Sequence, residues 1–274
     1  MKLKKAKEAF EILRTKFPIP NYLDGKETEH TFIADLIKRF LPEGSRILDI
    51  GCGGMNKTAL MALLGYEMHA VDDFQDPWHF EDNNLEKLKK FAKDFNINLT
   101  IQKVEDYNLD YPENHFDGIM INSVIEHLHE SPRDLLNNAG YYVREGGYLF
   151  VTMPNSVNLR KRLSVMRGRS NYPPVEMFYE YIGTWRGHVR EYTLTEQEYI
   201  LRRNGFTIVF STTYHGMVDV KLKHGLTKFL YKAICRLFPT VRENLATVAQ
   251  KPSGWKPVKP DLGKFRKKYD RLCT

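Results

Sequence analysis

The chain has 274 residues, 42% of them apolar and 27% charged, which suits one elaborated globular domain with a sizeable buried core. Its net charge of +7 favours phosphate-bearing partners or an anionic membrane surface without identifying either. Cys52, Cys235 and Cys273 lie far apart in the sequence, which excludes a disulfide framework or a cysteine zinc site and points to a reducing compartment. The N-terminus, MKLKKAKEAF, is charged where a secretory signal would be apolar, and no run of about 18 uncharged apolar residues occurs. A cytoplasmic protein is expected, peripheral at most to the inner membrane face.

In chain order, residues 2–16 read as a charged helix stopped by Phe17-Pro18-Ile19-Pro20. Phe32, Ile33, Leu36, Ile37 and Phe40 predict a second helix over 28–40, broken by Pro42-Glu43-Gly44. Strands are then expected over 46–50, 67–72, 99–104, 116–122, 147–153 and 206–213, with helices over 58–64, 85–95, 132–143 and 195–204. This alternation implies right-handed crossovers and a doubly wound, mainly parallel α/β sheet covered on both faces. The apolar, β-branched run 245–249 supplies a seventh strand. Three sections follow: an N-terminal helical segment (1–44), a main domain (45–218) whose insert 154–190 forms a substrate-side lid, and a basic tail (219–274).

The strongest local signal is Ile47-Leu48-Asp49-Ile50-Gly51-Cys52-Gly53-Gly54, a buried strand running into a glycine-rich turn that opens a helix. Such a turn alone fits a dinucleotide equally well. Asp49 would oppose a pyrophosphate, however, and suits a ligand carrying an ammonium and a sulfonium. The second strand ends in Val71-Asp72-Asp73, where an acid can accept hydrogen bonds from a ribose diol.

From Arg46 to about Phe206 the chain resembles class I S-adenosylmethionine-dependent methyltransferases, Rossmann-like enzymes with a seven-stranded sheet. The resemblance rests on Leu48-Asp49-Ile50-Gly51-Cys52-Gly53, Ala70-Val71-Asp72, Phe116-Asp117-Gly118-Ile119-Met120, Val124-Ile125-Glu126-His127-Leu128 and Glu145-Gly146-Gly147-Tyr148-Leu149, in that order. It implies that Asp49, Gly51, Cys52, Gly53 and Gly54 surround the methionine end of the cofactor. Asp72 would grip the ribose, assisted by Asp73 unless that residue only caps the next turn. Glu105 and Asp106 would receive the adenine amino group, and Asn122 and Ser123 would line the floor under the sulfonium. Where many members carry a third glycine, this chain has Met55. Asn56-Lys57-Thr58 with the run from Asp72 to His79 resembles a bacterial and archaeal subgroup that modifies surface polysaccharide or glycolipid. Trp78 is expected either to stack on the adenine or to join the core.

Methyl transfer to a sugar hydroxyl benefits from a general base, and His188, which Glu191 can orient, His127 and His215 are the candidates, with a structural role as the alternative for His127 and His188. Glu126, His127 and His129 resemble in part the metal cluster of small-RNA 2′-O-methyltransferases. That family's further glutamate falls at Ser123, and histidines two apart point to different helix faces, so no metal is expected. The insert interleaves Arg160, Arg162, Arg167 and Arg169 with Tyr172, Phe178, Tyr179, Tyr181 and Trp185. It reads equally as a site for a phosphorylated glycan, lipid-linked sugar or single-stranded RNA, and as a solvated lid whose aromatics pack on the sheet. Over 225–238 an apolar row with Lys228, Lys232 and Arg236 off its face fits either packing on the domain or contact with an anionic membrane. The leading expectation is O-methylation of a sugar in a surface or lipid-linked glycan. RNA or small-molecule methylation, or a cofactor-binding subunit without catalysis, are the alternatives.

Overall fold

The computed structural model describes residues 5–102, 109–216, 225–261 and 263. Helices α1 (Ala6–Lys16) and α2 (Glu27–Phe40) come first. Their apolar rows, including Phe10, Leu13, Ile33 and Ile37, lie in the same core cluster as the strand residues Ile47, Met68, Met120 and Phe150. The segment over 1–44 is therefore a cover on the sheet rather than a unit with a core of its own.

Alternation then proceeds through β1 (Arg46–Ile50), α3 (Asn56–Leu63), β2 (Glu67–Asp72), α4 (Asn84–Asp94), β3 (Asn98–Ile101) and β4 (Phe116–Asn122). It continues through α5 (Arg133–Tyr142), β5 (Val143–Pro154), α6 (Leu159–Met166), α7 (Val175–Tyr179), α8 (Leu194–Arg203) and β6 (Thr207–Tyr214). Helix α9 (Gly225–Leu237) and β7 (Asn244–Gln250) complete it. The strands form one seven-stranded sheet in the order β3-β2-β1-β4-β5-β7-β6. β7 is antiparallel to both neighbours, while the other pairs are parallel. The strand order reverses between β1 and β4, so a crevice opens outside their carboxyl ends.

The expected seventh strand thus lies inside the sheet, between β5 and β6. This corrects the domain boundary at 218. β7 buries Leu245, Ala246, Val248 and Ala249 completely, and without it β5 and β6 would lose their shared partner. The sheet-bearing unit runs to Gln250.

Two apolar surfaces stay uncovered. In the insert, Tyr172, Phe178 and Tyr179 are exposed, and Ile182 is 95% exposed, so these aromatics do not pack on the sheet. On α9, Leu226, Phe229, Leu230 and Leu237 face outward while Cys235 is buried, so the apolar row is not spent on the domain. Among the described residues no helix is long and apolar enough to cross a membrane.

Candidate functional site

The glycine turn after β1 folds back over the end of β2. Gly51 N–H and Cys52 N–H both donate to the Val71 carbonyl, at 2.8 and 3.2 Å, and Gly53 N–H donates to Asp72 Oδ2 at 2.7 Å. Gly51 has φ +70, and a Cβ there would sit 2.5 Å from a Val124 methyl, so both backbone and packing demand glycine. Gly53 also has a left-handed φ, +49, but a Cβ there would meet nothing within 4 Å. Its face is open. Gly54 is buried against the N-terminal cover instead, with Tyr22 Oη and Phe17 nearest to where a Cβ would stand. At the expected third-glycine position Met55 adopts the left-handed conformation itself, φ 57. That costs on the order of 1 kcal/mol, which complete burial of its side chain offsets.

Asp49 and Asp72 stand at the carboxyl ends of the adjacent strands β1 and β2. Asp49 is 2% exposed; its Oδ2 accepts from Thr58 Oγ1 at 2.7 Å, and Oδ1 has no partner. Burial raises its carboxyl to a pKa of about 6. Asp72 accepts from Gly53 N–H and from Phe74 N–H at 2.9 Å, which fixes the carboxylate at the lip of the turn, and burial raises it above the ordinary value. Burial also pushes the Cys52 thiol well up, so it stays protonated. At the end of β4, Asn122 Oδ1 accepts from Thr152 Oγ1 at 2.8 Å and its buried amide nitrogen is unpartnered. Ser123 is exposed, with φ 56.

Other expected cofactor residues fall elsewhere. Glu105 and Asp106 lie outside the described residues. Asp73 caps the next turn through Gln75 N–H at 3.0 Å, and its two oxygens receive Arg186 at 2.9 and 3.1 Å. It faces the insert, because Arg186 binds Asp73 and Asp76 together. Trp78 packs on the core beside His79 and Tyr22.

A second group of polar side chains gathers just beyond β4. Glu126, His127 and His188 present ligand-type atoms all within 4.8 Å of one another. Glu126 is wholly buried, and neither carboxylate oxygen has a hydrogen-bond partner. Burial, opposed by its own backbone N–H and by His188, holds its carboxyl up at about 7. His127 Nδ1 donates to the Arg186 carbonyl at 2.8 Å, and burial lowers its pKa. His188 Nδ1 lies 2.8 Å from Glu191 Oε1, the orienting contact anticipated from sequence. Burial alone would raise Glu191, but its bonds to His188 and to the buried Lys161 hold it below the ordinary carboxylate range. His129 turns away, with Nε2 donating to the Trp185 carbonyl at 2.8 Å. His188, not His129, is the third member of the group with Glu126 and His127.

Arg186 was not anticipated as a site residue. Arg186 meets Asp73 across 113 positions, and nothing in its local sequence announces that partner. Val189 N–H and Arg190 N–H donate to the Glu126 carbonyl at 2.7 and 3.2 Å and seat the end of the insert over the cluster.

The residues of the first group fit S-adenosylmethionine. Asp49 Oδ1 and the Asn122 amide are buried polar atoms without partners, and Gly53 leaves open space where a side chain would stand. Asp72 retains acceptor lone pairs for a diol beyond its two backbone bonds. Asp49, Gly51 and Gly53 would hold the amino-acid end, and Asp72 the ribose.

Comparison with known proteins agrees. Residues 26–210 match the family model described as "Methyltransferase domain". A ubiquinone biosynthesis O-methyltransferase of Xanthomonas campestris pv. campestris is 27% identical over 123 residues, 45% of this chain and 48% of that protein. The chain spans about half the length of the curated relatives it matches. In fold it is similar to Haemonchus contortus phosphoethanolamine N-methyltransferase 2, solved with S-adenosyl-L-methionine (TM-score 0.54, 19% identity, 90% of this chain and 57% of that one). It is similar also to a SAM dependent methyltransferase from Aquifex aeolicus (TM-score 0.50, 14% identity, 89% and 97%). With the sheet order, the glycine turn and a family match over most of its length, the chain belongs to the methyltransferase domain family, the class I S-adenosylmethionine-dependent methyltransferases.

Proposed function

We propose that this chain transfers the methyl group of S-adenosylmethionine to a hydroxyl oxygen, with Asp49, Gly51, Gly53 and Asp72 holding the donor and the cluster of Glu126, His127 and His188 activating the acceptor. The observation that carries the reading is the placement of a buried, half-partnered carboxylate at the end of β1 and a group of basic side chains just past β4, on either side of the switch point. The cofactor, when bound, supplies an electrophilic methyl carbon on a sulfonium. An alcohol is a poor nucleophile until its proton leaves, and basic groups at the acceptor side meet that need. Asp72, fixed by two backbone N–H donors, orients the donor, and the end of the insert is seated over the acceptor side by its bonds to the Glu126 carbonyl.

The acceptor we propose is a sugar hydroxyl in a surface or lipid-linked glycan. Its support is the solvent-facing row of Arg160, Arg162, Arg167 and Arg169 beside the exposed rings of Tyr172, Phe178 and Tyr179, chemistry suited to phosphate and to sugar faces. A second reading, a phenolic hydroxyl on an apolar carrier, draws on the relatives named for ubiquinone biosynthesis. For the outward face of α9 we propose contact with an anionic bilayer surface, since no acid occurs between Lys221 and Arg242.

Calorimetric titration with S-adenosylhomocysteine tests the donor half. Binding is expected in the wild type, and Asp72→Ala should weaken it by about 1–3 kcal/mol. A protein that ignores this nucleoside, or a variant with undiminished affinity, refutes the assignment. Incorporation of labelled methyl into glycan, lipid or RNA fractions then separates the acceptors.

A further inference from the structure

We propose that Glu126, His127 and His188 bind one divalent cation of borderline hardness, of the zinc, cobalt or manganese kind. The family assignment does not supply this site, and the sequence pattern argued against it.

The case begins with where the protons are. The Arg186 carbonyl can only accept, so His127 carries its hydrogen on Nδ1 and leaves Nε2 with a bare lone pair. Glu191, paired also with Lys161, likewise lies on His188 Nδ1 and leaves Nε2 as the ring nitrogen turned to the cluster. Glu126 adds two oxygens, buried and accepting nothing. Ligand-type atoms of three side chains therefore converge within 4.8 Å of one another.

A proton alone does not resolve this. It bridges one pair of heavy atoms at roughly 2.5–3.0 Å and leaves the third group unmatched. A cation satisfies all three at once. Zinc at ~2.0–2.2 Å from nitrogen and oxygen ligands keeps those ligands a little over 3 Å apart, which small side-chain rotations reach from a cluster within 4.8 Å.

The surroundings fit as well. Histidines that ligate metals are held by their other nitrogen on a carbonyl or carboxylate, and here there is one of each. Glu191 is anchored in turn by the buried Lys161, whose side chain is 8% exposed. Two imidazoles and one carboxylate favour a borderline cation over magnesium or calcium, which prefer all-oxygen shells. Three protein ligands leave coordination positions open. On the methyltransferase reading, a cation held by these three side chains would supply positive charge that favours loss of the acceptor hydroxyl's proton to solvent as the methyl leaves the sulfonium for that oxygen. The histidines then act as ligands, not as bases.

The test uses the full chain, stripped with chelator and titrated with Co²⁺ while visible absorption is recorded, then competed with Zn²⁺. One equivalent with ligand-field bands is expected. His188→Ala and Glu126→Gln should each weaken binding by roughly 100-fold, and Glu191→Gln by roughly tenfold as a positioning residue. His129→Ala should bind as the wild type does. S-adenosylhomocysteine affinity, measured on every variant, reports whether each is folded. Wild-type protein that binds the nucleoside but takes up less than a tenth of an equivalent of cobalt overturns the metal site. Equal cobalt affinity in folded His188→Ala and in the wild type overturns it too. Loss of nucleoside binding in the wild type would instead sink the methyltransferase reading.

Discussion

Asp49 and Glu126 are both buried carboxyls at the carboxyl-end side of the sheet, each with an oxygen that nothing satisfies, yet the chain builds their surroundings in opposite ways. Asp49 is served by near neighbours: Thr58 is nine positions on, and Asp72 comes from the next strand. Glu126 is closed over from far away, by the segment around Arg186 to Glu191 at the end of the insert. The donor half of the site is thus a local construction that the fold carries with it. The half we propose for the acceptor is a long-range one, and chains of one fold can differ there without disturbing the sheet.

The largest expected effect separates packing from binding within the donor half. Gly51→Ala meets a left-handed φ and a methyl at 2.5 Å, so it should cost about 2–5 kcal/mol in denaturant unfolding. Gly53→Ala meets only the backbone penalty and should cost about 1–2 kcal/mol of stability, while a methyl in the open face cuts S-adenosylhomocysteine affinity at least tenfold. Equal stability losses in the two would show that the glycines do not divide the work this way.

Next comes the cost of keeping Asp49 charged. Its carboxyl titrates at about 6 when folded and at 3.8 in a free chain, so the folded form holds its proton more tightly. Relative to pH below 3.8, where the group is protonated folded or unfolded, stability falls as pH rises through 6, by about 3 kcal/mol in all. Asp49→Asn should therefore be more stable than wild type by about 1–3 kcal/mol at pH 7.5, with the gap closing toward pH 4. The same variant should bind S-adenosylhomocysteine more weakly. Matching unfolding midpoints across this range would mean that the buried charge is not being endured for the ligand.

The same contrast between local and distant partners explains what could be read in advance. β1, β2 and β4 were expected at the bounds the structure shows, because a continuous apolar run between turn residues is a local signal. β7 was visible as a strand, but its place was not. The alternation stops after β6, and no local pattern says that the chain returns antiparallel between β5 and β6. Asp49, Gly51, Gly53 and Asp72, which we propose hold the cofactor, lie in motifs of a few positions. Asp73 caps its turn, the local one of its two expected roles, whereas its partner Arg186 lies 113 residues away, where no local pattern announces it. The insert's aromatics were read evenly between packed and free because composition cannot tell a covered ring from a bare one.

A smaller effect tests whether the insert is held by its arginine. Arg186→Gln breaks the contact with Asp73 and Asp76, where Asp76 is 41% exposed, so about 1 kcal/mol of stability is at stake. Limited proteolysis within 160–182 should speed up by roughly fivefold, with S-adenosylhomocysteine affinity unchanged. Unaltered cleavage would place the anchoring of the insert in its backbone bonds to Glu126 instead.

The smallest expected change in stability belongs to α9, whose apolar side is turned to solvent. Phe229 is 69% exposed and Leu237 74%, so removing these side chains deletes almost no buried contact. Phe229→Ser with Leu237→Ser should leave the unfolding free energy within about 0.5 kcal/mol of wild type. Co-sedimentation with vesicles containing anionic lipid should fall sharply in that variant, because apolar insertion and basic attraction act together at a charged surface. Neutral vesicles should bind neither protein well. A large loss of stability would mean that the helix folds back onto the sheet in solution, and unchanged sedimentation would mean that its face serves something other than a bilayer.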